Sequence, residues 1–122
     1  MVERERFAFG ATVAGFLLVA TLHLINPDAL IARTNLERAR AGHIFDAGYV
    51  ASLSADAVPE IVAGLPSLSP VDRGKLSKVL LNRWTSSQNP DWRSWTISSA
   101  AARQAVELNA AVLRDDMAKP AR

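Results

Sequence analysis

The chain has 122 residues, 49% of them hydrophobic and 21% charged, with no cysteine and a formal net charge of +2. That length fits one small domain with an attached segment. The missing cysteines exclude disulfides, thiolate metal sites, iron–sulfur clusters and cysteine nucleophiles, and the two histidines, His23 and His43, are too few for an all-histidine three-ligand metal site within one chain.

The first element is apolar. Phe7 to Pro27 is a run of 21 residues without a charge, and ten of the residues from Phe7 to Ile25 are Phe, Val, Leu or Ile. As a helix, Phe7 to Ile25 spans about 28 Å, close to the hydrocarbon thickness of a bilayer. Those ten side chains supply about −3 to −6 kcal/mol on an insertion scale. Thr12 and Thr21 can return their hydroxyls to the helix backbone, and His23 falls near the end, where headgroups and water begin. A buried core helix would be shorter and would carry charge on one face. A cleaved signal peptide would have a positive leader, whereas Glu3-Arg4-Glu5-Arg6 is balanced and no clear small-residue cleavage site follows. The segment therefore reads as a retained transmembrane helix over about 7–25. Gly10/Ala14 and Ala11/Gly15 are small-xxx-small pairs that would let another membrane helix approach. Arg33, Arg38 and Arg40 after the helix outnumber Arg4 and Arg6 before it, which favours a cytoplasmic C-terminal part; a signal anchor in which the N-terminal arginines dominate would place it on the opposite side.

After residue 27 the pattern is of short helices punctuated by Gly, Pro, Ser and Asn. Asn26-Pro27-Asp28 is a helix start, with Asn as N-cap, Pro at the first position and a carboxylate at the positive end. This helix runs to about Ala41, with Gly42 past its end; one long helix kinked at Pro27 is the alternative. Asp46 caps a short helix through Tyr49 to Leu53. Ser54 opens another, Ala55 to Ala63, with Pro59 in its first turn or so and Gly64 and Pro66 as stops. It resembles the first helix of a HEAT-type hairpin, but no fixed period repeats. Ser69-Pro70 opens a helix to about Trp84, with Leu76, Val79, Leu80 and Trp84 on its apolar face. Ser86 to Asp91 is a loop. A last helix is expected from about Ile97 to Asp115, with Ile97, Ala101, Ala105, Leu108 and Val112 on the buried face. The expected class is all-α: one transmembrane helix, then a bundle of about four to five short helices joined as hairpins. The boundaries are 1–27 for the membrane segment, 28–116 for the helical domain and 117–122 for a frayed tail.

Several stretches together look like one family. His23-Leu-Ile-Asn-Pro-Asp-Ala-Leu-Ile-Ala-Arg-Thr-Asn-Leu-Glu-Arg38, then Asp46-x-x-Tyr49 with Leu53-Ser-Ala-Asp-Ala-Val-Pro59, then Asp91-Trp-Arg-Ser-Trp95 resemble the C-terminal part of bacterial multi-pass membrane proteins of the domain-of-unknown-function 4153/4173 type. The resemblance extends over roughly Phe7 to Ala105. It implies an integral membrane protein whose last membrane helix leads into a terminal helical region, and it brings no catalytic residues. Such proteins have several hydrophobic spans where this chain has one, so the chain reads as a terminal piece.

No constellation for catalysis stands out. His43 and Asp46 read as a turn and a helix cap rather than metal ligands. Asp115 and Asp116 point about 100° apart on a helix and read as a solvated end. Gly74-Lys75 lacks the remaining residues of a phosphate loop, and no hydrolase motif is present. Trp84, Trp92 and Trp95, with Arg83 and Arg93 beside them, are the most unusual cluster. They suit an aromatic belt at the headgroups, stacking on bases or a protein hot spot; the preferred reading is that they pin the 86–96 loop on the core. After residue 27, twelve basic residues stand against ten acidic ones with no basic run, which disfavours nucleic acid. Asn35 and Arg38 are candidate polar contacts on the membrane-proximal helix. The sequence thus points to a membrane-anchored, non-enzymatic helical scaffold without cofactor or metal, whose partners are the bilayer and other membrane helices or a protein. The alternative is the terminal fragment of a membrane transporter or membrane enzyme.

Overall fold

Pro27 has no N–H to continue a helix, and the chain breaks there. In the computed structural model, which describes residues 2–85 and 96–118, α1 (Val2–Ile25) ends at Asn26 and α2 (Pro27–Arg40) begins directly after it. Asn26 is left-handed, at φ 49° and ψ 74°, a region that asparagine tolerates better than most side chains. Its Oδ1 accepts the Ala29 N–H at 3.3 Å, and its carbonyl accepts the Leu30 N–H at 3.1 Å. One residue therefore ends one helix and caps the next, and the continuous kinked helix is not what forms.

The other punctuation follows from similar chemistry. Gly42 is left-handed at φ 82°. Its N–H donates to Ala39 O and the His43 N–H to Arg38 O, both at 3.0 Å, the pairing that closes a helix with a left-handed residue. Asp46 Oδ1 accepts the Tyr49 N–H at 2.9 Å and starts α3 (Ala47–Ser52). Ala55–Ala57 is a 3₁₀ turn leading into α4 (Val58–Gly64), with Pro59 in the first turn. A second 3₁₀ turn, Leu65–Ser67, precedes α5 (Pro70–Trp84), which Ser69 caps through the Asp72 N–H. Thr96 and Ser99 exchange side-chain and backbone bonds to open α6 (Ile97–Leu108).

The last helix is two helices. Asn109 closes α6, donating from Nδ2 to Ala105 O at 2.8 Å, and α7 runs from Ala110 to Ala118. Met117 and Ala118 are thus helical rather than frayed. Six α-helices follow α1, and no strand occurs among the described residues.

Contacts run mainly between alternate helices. α2 packs on α4 and α4 on α6; α3 packs on α5 and α5, most extensively, on α7. Between the two rows lie Leu36, Val50, Val58, Ile61, Leu65, Leu76, Leu80, Val106 and Leu113. The expected face of α5 holds for Leu76 and Leu80, but Val79 is exposed and Leu81 and Ser77 are buried instead. The expected face of the last helix is reversed. Ile97 is 81% exposed, Leu108 78% and Val112 58%. Ser99, Ala102, Val106 and Leu113 face inward. Small residues let α6 lie close against α4 and the 3₁₀ turn before it, and close approach governs the facing more than side-chain size does.

Gly64 belongs to this packing and does not merely stop α4. A Cβ there would stand 2.9 Å from Leu36 Cδ2 and 3.0 Å from Cγ, and closer still to Cδ1. Leu36 is buried, so it must leave its packed position to make room. A helical Gly→Ala change ordinarily gains about 0.5–1 kcal/mol. Gly64→Ala is expected instead to lose about 1–3 kcal/mol through overpacking. Denaturant melts of the helical circular dichroism signal in detergent measure this, and adding Leu36→Ala should make the pair clearly non-additive.

Candidate functional site

α1 is the most distinctive surface. Its apolar side chains surround the helix rather than forming a stripe, and the Arg4–Ile25 stretch is wholly uncovered by the remainder of the chain. Phe7 is 79% exposed and Leu24 87%. Every polar side chain between Phe7 and Ile25 is turned back on the helix. Thr12 Oγ1 donates to Ala8 O at 2.9 Å, Thr21 Oγ1 to Leu17 O at 2.7 Å, and His23 Nδ1 lies 3.2 Å from Val19 O. At 24 residues, α1 is about 36 Å long. One helix is therefore long and apolar enough to cross a membrane. Gly10 and Gly15 face open space, with nothing within 4 Å of where a Cβ would stand; Ala11 and Ala14 are likewise exposed.

At its base, α1 meets the domain. Leu22, His23, Asn26, Pro27, Asp56 and Ser98 wall a cleft of about 440 Å³. One turn further on, Asp28 Oδ2 accepts the Ser54 N–H at 3.0 Å, tying α2 to the turn before α4. The Ser54 hydroxyl, then its backbone N–H, hold the Asp28 carboxyl below the usual aspartate value. Arg33 Nη2 reaches Glu60 Oε1 at 2.8 Å, joining α2 to α4 itself. The carboxylate raises the arginine further above its already high value, and both groups are exposed enough that the pair adds little to stability.

The side chains singled out in the sequence are dispersed. Asn35 Nδ2 donates to Ile31 O in its own helix at 2.8 Å. Arg38 acts through its carbonyl, which accepts the His43 N–H, and its side chain is exposed. Trp84 is half-buried and packs on the core, with the Arg83 guanidinium 5.2 Å from its ring centroid. Trp92, Arg93 and Trp95 lie outside the described residues. Arg83 joins the ends of α5 and α3, its Nη1 donating to Ala51 O at 3.1 Å and to Leu53 O at 3.2 Å.

Asp116 is a correction. Instead of forming a solvated end with Asp115, it is buried, with Oδ1 2.8 Å from Arg73 Nε. The approach is an ion pair without the alignment of a hydrogen bond, since neither Arg73 Nε nor Asp116 Oδ2 has a hydrogen-bond partner. Gly74 permits this approach, because a Cβ there would meet the Asp116 carbonyl at 3.3 Å. A smaller cavity of about 220 Å³ opens beside the pair, between α4 and α7. No group of three or more metal-binding side chains occurs among the described residues. Sequence reasoning missed Arg73–Asp116, Asp28–Ser54 and Asp56 because each joins residues 26 or more apart, or is a lone surface carboxylate, with no local pattern to mark it.

The geometry defines a class: a small all-α domain carried behind an uncovered apolar helix. The family described as "Domain of unknown function (DUF4153)" matches residues 2–64, just over half of the chain, and the protein belongs to that family. The match covers α1 to α4 and stops before α5, so the Asp91–Trp95 element falls outside it. No curated protein and no solved structure matches the chain.

Two outcomes follow from the contacts between elements. The stability that the Asp28–Ser54 contact contributes is complete above the unfolded carboxyl value of about 3.9 and is lost as pH falls through the lower folded value. Asp28→Asn should therefore flatten the acid limb of melting temperature against pH, by less than about 1 kcal/mol at this partly exposed site. Arg83→Ala should cost about 1–3 kcal/mol by leaving two helix-end carbonyls without their charged donor, with part of the loss recovered in Arg83→Lys; denaturant unfolding measures both.

Proposed function

We propose that the protein is a membrane-anchored helical scaffold, without catalytic activity of its own, whose domain offers an interaction surface at the bilayer. The observation that carries this reading is α1: its Phe7–Ile25 stretch is about 28 Å of uncharged helix, apolar all round, with its hydroxyls and ring nitrogen turned inward and none of its residues buried by the domain. In water that surface would be exposed at a cost of roughly 25 cal/mol per Å². In hydrocarbon it costs nothing, because every backbone polar group is satisfied within the helix. The surplus of arginines on α2 supports a bacterial cytoplasmic membrane with the domain on the cytoplasmic side. The partners are then the bilayer and neighbouring membrane helices or a protein, and the balanced charge argues against nucleic acid.

A second reading, the terminal part of a larger multi-span transporter or membrane enzyme, is favoured by the open space at Gly10 and Gly15. Small residues facing outward suit close packing of another span. Co-purification from detergent separates the readings: distinct partner chains favour the scaffold, and additional spans encoded continuously with this chain favour the larger protein.

The anchor is testable directly. The chain should stay in the membrane pellet through alkaline carbonate washing, and release into the supernatant would refute the transmembrane assignment. Leu18→Arg should cost about 2.5–3.5 kcal/mol of insertion free energy and shift a measurable fraction of the protein out of the pellet.

A further inference from the structure

The cleft at the base of α1 brings together three segments far apart in sequence: the end of α1 with the start of α2, the 3₁₀ turn carrying Asp56, and Ser98 in the first turn of α6. Its volume of about 440 Å³ lies within the range of small-molecule sites, roughly 300–1,000 Å³. The walls divide by chemistry. Leu22 and Pro27 present carbon, while His23, Asn26, Asp56 and Ser98 present nitrogen and oxygen.

The polar wall holds two acceptors, His23 Nε2 and the Asp56 carboxylate, beside the amide N–H of Asn26 and the hydroxyl of Ser98. His23 Nδ1 lies against Val19 O of its own helix; with Nδ1 donating there, Nε2 carries the ring's free lone pair. The Asp56 carboxylate only accepts, and none of the ion pairs among the described residues involves it. Among the described residues, no lysine or arginine lines the cleft. Its height is set by α1. The apolar residues end at Ile25, so in a bilayer His23 and Asn26 stand where hydrocarbon gives way to headgroups.

We propose that this cleft seats the headgroup of an amine-bearing phospholipid, with its ammonium on Asp56 and its glycerol carbons along Leu22 and Pro27. The inference rests on α1 being a membrane helix. A primary ammonium brings three N–H donors and a positive charge to the Asp56 carboxylate and His23 Nε2. A quaternary choline brings the charge without donors, and a purely anionic headgroup meets the Asp56 carboxylate unpaired.

The experiment is native mass spectrometry of the full chain in detergent, titrated separately with phosphatidylethanolamine, phosphatidylcholine and phosphatidylglycerol. Phosphatidylethanolamine is expected to be retained about five-fold more than either of the others, the scale of one charge-assisted hydrogen bond at a partly open site. Asp56→Asn, a near-isosteric change at an exposed turn, should remove the preference while leaving the helical circular dichroism signal intact. Glu60→Gln, in the separate groove between α2 and α4, should leave the preference unchanged. Should Asp56→Asn fail to fold, His23→Phe removes the second acceptor and should lower the preference. Equal retention of the three lipids, a preference for phosphatidylglycerol, or a preference that survives in the folded variants would overturn the proposal. Carbonate extraction of the same preparation separates this failure from failure of the anchor: a chain that stays in the pellet yet shows no lipid preference refutes the cleft alone.

Discussion

Everything else in the molecule is arranged around an amide hydrogen that Pro27 does not have. Without it the backbone ladder of α1 cannot run on, and Asn26 turns left-handed to end one helix and cap the next. The break divides two solvation problems. On one side lies a helix whose whole circumference is apolar. On the other, α2 has one buried side, Ala32 and Leu36, and an outer face carrying Arg33, Arg38 and Arg40. A continuous helix would have fixed the direction of α2 by that of α1. With the break, α2 takes its direction from its packing on α4, where Leu36 meets Gly64, and from the Asp28–Ser54 hydrogen bond.

The domain past the break is built from helices of 6 to 15 residues, most too short to hold together alone. Their stability has to come from contact, and the contact is made close by small residues. Gly64 admits Leu36, Gly74 admits the Asp116 backbone, and Ala32, Ala57 and Ala102 are fully buried. Packing between alternate helices then makes a two-row core in which each helix is held by neighbours that are not adjacent in sequence. The ion pair of Arg73 and Asp116 sits in the most extensive of these contacts, between α5 and α7. A charge buried there is tolerated because its partner is within 2.8 Å.

Helix starts and stops are readable from the sequence because they are local chemistry. Asn26-Pro27, Asp46, Ser69-Pro70 and Gly42 each act through a bond to a backbone group within a few residues, so the sequence carries the whole signal. The inward face of α6 is not readable in that way. Ile97, Leu108 and Val112, in register with Ala101 and Ala105, make the stronger periodic pattern, yet the contact with α4 needs the thinner side of the helix, Ser99, Ala102 and Val106. Asn109 also breaks a helix, at φ −106° and with its amide turned back to Ala105 O rather than forward as at Asn26, and with no proline after it the apolar period runs through and hides the break. The cleft beside His23 is only half legible. The histidine's place near the end of the apolar helix follows from its position in the apolar run, whereas Asp56 and Ser98 arrive there through folding alone.

The span of the family match has a structural consequence. Residues 2–64 include α2 and α4, and these two pack on each other, but α4 also buries itself against α6, and α3 against α5. Ile61 and Val58 on α4 and Val50 on α3 are almost wholly buried in the core that those later helices join. Cut after Gly64, the three short helices would expose that surface to water at roughly 25 cal/mol per Å², with too little remaining contact to offset the conformational entropy of ordering them. The physical unit is therefore larger than the recognisable one. α5 to α7 lie outside the family pattern while completing its core, as expected where the requirement is volume and close approach rather than a particular side chain. Asn26-Pro27, Asp28 to Ser54 and Gly64 against Leu36 fall within the matched half, while Arg73 with Asp116 beside Gly74 lies beyond it.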